Sequence, residues 1–143
     1  MVKLDINRKG LEKICRKYGV IAVYVHGSQV KGYAAPDSDT DVAVVVGDRN
    51  KLERGHFGSY NVVNEMEGVL SIKNPDVRVV DKDSSPVFLF EIISDGKIVY
   101  QENESSRLGF EERVLRTYYD AEYMREVYGD YLYRDIKARA YAN

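Results

Sequence analysis

The chain has 143 residues, long enough for one domain that buries its own core. Apolar residues at 44% and charged residues at 31% are the proportions of a folded globular chain, not of a disordered one. A net charge of −2 argues against direct nucleic-acid binding, and the single Cys15 rules out a disulfide framework or a cysteine-based zinc site. No apolar run is long enough to span a membrane, and the N-terminus has no signal-peptide core, so the expected location is cytoplasmic.

In chain order, Asp5 or Asn7 can cap a helix whose apolar residues Leu11, Ile14, Cys15 and Tyr18 follow helical spacing, with Gly19 as its end. Val20 to Val25 is a β-rich run apolar on both faces, as in a central strand. Gly27-Ser28 turns the chain into a short helix ending near Gly32, and Ala34 to Ser38 is turn chemistry. Asp39 to Val46 is a second buried strand. Lys51 to Gly58 is polar and reads as loop, while Tyr60 to Leu70 has Val62, Val63, Met66 and Leu70 at helical spacing. Val77 to Val80 is a third strand, Val87 to Ile93 a helix opened by Pro86, and Ile98 to Tyr100 a short strand. From Ser106 the pattern is helical to about Val127, with a break expected at Gly129. The division expected is a domain over 1–103 and a helical tail over 104–143, either packed on the domain or docked on a partner.

The stretch from Gly27-Ser28 to Asp39-x-Asp41, held between two buried strands, is the chemical centre. Gly27 lacks a Cβ and lets a phosphate approach the backbone. Ser28 starts a helix, where free backbone N–H groups and the dipole favour an anion, and its hydroxyl adds a donor. Asp39 and Asp41 lie two apart on a strand, so both carboxylates leave the same face. Such a pair suits Mg²⁺, which takes one or two protein carboxylates together with substrate phosphates. Singly these are a turn and a solvated strand end; chance gives the joint spacing in about one chain in several hundred.

That spacing resembles the signature of the nucleotidyltransferase superfamily that includes DNA polymerase β and the aminoglycoside nucleotidyltransferases. The short chain is similar to the minimal nucleotidyltransferases, the MntA-type antitoxins paired with HEPN-domain toxins. The resemblance implies an α+β fold, the polymerase β-like nucleotidyltransferase fold: a mixed sheet flanked by helices, with a C-terminal helical extension. It implies Mg²⁺ on Asp39 and Asp41, ATP as substrate with the triphosphate held at Gly27 and Ser28, and a phosphate contact from Lys31. It further implies AMP transfer to a tyrosine of a HEPN ribonuclease toxin. The family's third carboxylate falls on Asp76 or, by an ungapped count back from Pro86, on Arg78. Asp76 is the expected third metal ligand and base, with Arg78 beside it on the same strand face.

His26 reads as a packed strand-end residue. Seven of the twelve tyrosines follow Thr117. Phe110, Val114, Tyr118, Ala121, Met124, Tyr128 and Tyr131 form one helical stripe, with Leu108, Leu115, Tyr119 and Tyr123 partly outside it. So wide an apolar arc predicts a surface for a partner, a HEPN toxin or a second copy. The alternatives are transfer to a small hydroxyl compound, or a non-catalytic antitoxin that acts by binding alone.

Overall fold

The computed structural model describes residues 6–26, 40–54, 58–72 and 75–140. Helix α1 spans Arg8–Tyr18: the Asn7 side chain accepts from the Gly10 N–H at its start, and Gly19 ends it in the left-handed region at φ 65°. Its buried Leu11 and Cys15 are four apart and so share one side. Burial, and then the charge of Glu12, push the Cys15 thiol up to about 12, which leaves it an inert core residue.

Strands β1 (Val20–His26) and β2 (Thr40–Val46) pair antiparallel at the centre of the sheet, and each buries all but one residue. Strand β3 (Pro75–Val80) pairs parallel with β2, and β4 (Lys97–Gln101) antiparallel with β1. The order is β3-β2-β1-β4, a mixed four-stranded sheet.

Alternation divides the strand side chains between two cores. Val23, Val25, Val42, Val44, Val77 and Val79 face α1 and helix α3 (Gly58–Leu70), which contributes Val62, Met66 and Leu70. Ala22, Tyr24, Ala43, Val45 and Val80 face helix α4 (Pro86–Asp95) and the root of helix α5 (Glu104–Ala140), which supply Leu89, Ile92, Phe110 and Val114.

Two expectations fail. The stretch read as loop from Lys51 begins inside helix α2 (Arg49–Glu53), because the Asp48 side chain accepts from the N–H groups of Asn50 and Lys51 and caps it. Helix α5 starts at Glu104, with Asn103 capping the Ser106 N–H at 2.7 Å, and runs through Gly129. One glycine costs about 1 kcal/mol of helix propensity, too little to break 37 residues of helix. No described helix is long and apolar enough to cross a membrane.

Candidate active site

His26 is the last residue of β1, and Asp41 and Asp76 are the second residues of β2 and β3. Asp41 is the cross-strand partner of His26 on one side and of Asp76 on the other. By alternation, Asp41 shares a face with Ala43 and Val45, His26 with Ala22 and Tyr24, and Asp76 with Val80. All three therefore stand abreast at one end of the sheet, on the side covered by α4. Adjacent strands lie about 4.8 Å apart, so the two carboxylates can reach a common ligand.

Helix α4 closes this end. Pro86 starts it at a position where a missing N–H costs nothing, and this sets Phe88 against the strands. The His26 ring meets Phe88 edge-on, with centroids 5.8 Å apart. The Arg78 guanidinium lies over the same ring, 5.4 Å from its centroid. His26 is 9% exposed, and burial lowers its pKa from the ordinary value. The charges of Asp41, Glu91 and Asp76 act the other way, and Arg78 adds to the fall. The outcome is a neutral imidazole at neutral pH, beside two carboxylates.

Arg78 shares the strand face of Asp76, and its Nη2 lies 3.3 Å from the carboxylate. Both side chains are well exposed, 60% and 42%, so the pair is worth about 0–1 kcal/mol and opens readily. Asp81 serves the fold instead. It is buried, and its carboxylate accepts from the N–H groups of Arg49 and Asp83, which ties α2 to the β3–α4 turn. Beside Arg78 lies a cleft of about 390 Å³ lined by Arg49, Arg78, Val79, Val80, Ser84, Ser85 and Phe88, with donors and cations that can receive a phosphate.

Of the residues singled out in the sequence, Asp41 and Asp76 are brought together, and Arg78 comes with them. Gly27, Ser28, Lys31 and Asp39 lie outside the described residues. Phe88, Glu91 and Arg49 were not anticipated. The i, i+3 spacing of Phe88 and Glu91 on one helix face was the available signal, but it has meaning only once α4 is laid against the ends of β1 and β3. Two carboxylates on neighbouring strands form an oxygen-rich set that fits a hard cation such as Mg²⁺. Among the described residues no group of three or more His, Cys, Asp or Glu side chains could hold a metal.

The family model described as "Polymerase beta, Nucleotidyltransferase" matches residues 9–105. No curated protein sequence matches the chain. Among solved structures, it resembles a chain of a toxin–antitoxin complex with AMP-PNP, at 21% identity and a TM-score of 0.61, over 89% of this chain and 98% of the other. A complex of a tri-AMPylated Shewanella oneidensis HEPN toxin with an MNT antitoxin holds a similar chain, at 16% identity and a TM-score of 0.59, over 88% and 95%. A toxin–antitoxin complex of MntA and HepT holds another, at 18% identity and a TM-score of 0.52, over 88% and 96%.

Proposed function

We propose, from the premise that this chain belongs to the polymerase β nucleotidyltransferase family, that it transfers AMP from ATP to a tyrosine of a HEPN toxin and so acts as its antitoxin. The observation that carries the reading is the line of His26, Asp41 and Asp76 at one sheet end. Resemblance to chains of toxin–antitoxin complexes, one with AMP-PNP and one with an AMPylated toxin, supports the choice of donor and partner.

The tyrosine oxygen attacks the α-phosphorus of ATP, pyrophosphate leaves, and the phenol proton passes to Asp76. Gly27 and Ser28 hold the triphosphate through backbone N–H groups and the hydroxyl, and Lys31 contacts a phosphate. Asp39, Asp41 and Asp76 hold Mg²⁺. When bound, the metal neutralises phosphate charge and polarises the attacking and leaving oxygens. His26, kept neutral, adds no positive charge to compete for Asp41. Arg78 exchanges Asp76 for a phosphate in the adjoining cleft, which frees the carboxylate. The set Leu108, Leu115, Tyr119 and Tyr123 on α5 is exposed and offers the toxin its docking surface.

One observation favours a second reading. The Arg78–Asp76 pair, if it stayed closed, would leave a chain that neutralises its partner by binding alone. The test is incubation with ATP labelled at the α-phosphate, with and without the co-encoded HEPN protein. Label on a tyrosine of that protein, lost with Asp41→Asn, is the expected result. No label with a tight complex favours the second reading, and label on a small hydroxyl compound overturns both.

A further inference from the structure

The cleft beside Arg78 brings together two guanidinium side chains from different elements, Arg49 of α2 and Arg78 of β3. Arg49 is fixed through its backbone, whose N–H donates to the Asp81 carboxylate at 3.0 Å. The other oxygen of that carboxylate accepts from the Asp83 N–H at 2.9 Å, so Asp81 is engaged by the main chain. The Arg49 side chain is exposed and makes no ion pair among the described residues. Two hydroxyls complete the lining. Ser84 Oγ accepts from the Asp81 N–H at 3.1 Å and keeps its own proton to donate. Ser85, at the start of α4, makes no side-chain capping bond.

Two planar cations and two hydroxyls in one cleft match a phosphate dianion. A single carboxylate is satisfied by one guanidinium, and the second cation calls for a second charge. The position of the cleft bears on whose phosphate it takes. β3 is an edge strand, and Asp76 near its start faces Asp41 across the β2–β3 pair. The cleft follows β3 onward through Val79 and Val80, the latter about 13 Å from Asp76 at 3.3 Å per residue.

We propose that this cleft is a second phosphate site, separate from the one that holds ATP, and that a phosphate dianion bound there competes with Asp76 for Arg78. Arg78 serves both: its Nη2 lies 3.3 Å from Asp76 in an exposed pair, and its guanidinium lines the cleft. Phosphate in the cleft draws Arg78 off and leaves the carboxylate free to act as base. Asp76 meets the acceptor hydroxyl, so the site lies on the acceptor's side; that placement rests on the transfer reaction proposed above, and the binding does not. Two sources supply the same chemistry, free inorganic phosphate or a phosphate ester carried by the acceptor beside its hydroxyl.

The test is binding of inorganic phosphate to the full chain by calorimetry, with AMP-PNP present at saturation to fill the ATP site. Phosphate should bind, and Arg49→Gln should raise its dissociation constant about tenfold. The melting temperature should not change, since that side chain has no ion-pair partner to lose. Asp76→Asn should lower the constant by up to about fivefold, because it removes the rival for Arg78. Most of that gain should vanish when Arg78→Gln is added. No phosphate binding, binding indifferent to Arg49→Gln, or an Asp76→Asn gain that persists in full beside Arg78→Gln would each overturn the proposal.

Labelling of the acceptor protein from ATP labelled at the α-phosphate then identifies the source. Free phosphate that raises the rate is itself the ligand, whereas free phosphate that competes with the acceptor stands in for an ester on it. A labelling rate that ignores phosphate overturns the acceptor-side placement. Phosphate that binds as expected to a chain that labels nothing refutes the transfer reaction and leaves the site standing.

Discussion

The two faces of the sheet are built by alternate residues of the same strands, and they end differently. The face under α1 and α3 is apolar from end to end, Val23 and Val25 beside Val42 and Val44 beside Val77 and Val79. The face under α4 and α5 starts the same way, with Ala22, Tyr24, Ala43, Val45 and Val80, but finishes in His26, Asp41, Asp76 and Arg78. One face can hold the fold together without chemistry. The other holds its polar groups at a strand end, where a ligand can reach them and the pairing of β1, β2 and β3 fixes their places.

The contrast breaks most sharply at Asp41. Asp41→Asn keeps the shape and removes the charge; AMP transfer should fall by a factor of about 10³ or more while the melting temperature stays within a degree or two. A melt alongside single-turnover labelling checks both halves. Asp76→Asn should match it in transfer. If it retained near-native transfer, Asp76 would leave the mechanism.

On the apolar face the effect should fall on stability instead. Met66 is fully buried between α3 and the sheet, and Met66→Ala should cost about 2–5 kcal/mol in denaturant unfolding. Transfer per folded molecule should be unchanged. A fall in transfer among folded molecules would mean the two faces are coupled.

Each face also has an ion pair in its covering helices, and the two pairs differ in burial. Under α5, the Tyr24 hydroxyl donates to Glu111 at 2.7 Å, and Arg107 donates to both oxygens of that carboxylate at 3.0 Å. The Arg107 and Glu111 side chains are only 16% and 21% exposed. Glu111→Ala leaves a half-buried guanidinium and a buried phenol without their acceptor, at a cost of about 1–3 kcal/mol by the same unfolding measurement.

The strands could be read directly because β-branched runs and alternation are local properties. Asp41 could be read because it continues such a run. The choice between Asp76 and Arg78 could not, because it depends on the register of a parallel pairing between segments more than thirty residues apart, and only the fold sets Asp41 against Asp76. Phe88 and Glu91 were hidden for the same reason. Helix α2 is hidden by its cap: Asp48 follows the end of β2 and opens the helix at once, and only its bonds from the Asn50 and Lys51 N–H groups mark the second role. Gly129 misled in the other direction, as a propensity cost mistaken for a stop. The roles proposed for Gly27, Ser28, Lys31 and Asp39 rest on the sequence and on family membership.

The smallest effect belongs to the clasp on the other face, where Lys17 Nζ of α1 lies 3.0 Å from Glu65 of α3, with side chains 58% and 37% exposed. Hydrogen bonds from Tyr18 and then from Lys17 lower the pKa of the Glu65 carboxyl below the ordinary glutamate value. A carboxyl lowered in the folded state contributes stability above its unfolded pKa and loses it as pH falls through the folded value. The native melting temperature should therefore drop more steeply below about pH 4.5 than that of Glu65→Gln, with the two curves parallel above about pH 6. Water and salt reach this pair, so the gap should shrink as ionic strength rises, whereas the Glu111→Ala penalty should not. A salt-insensitive gap at Glu65 would mean that this clasp is as sheltered as its counterpart, and the two faces would then differ only at the strand end that carries Asp41 and Asp76.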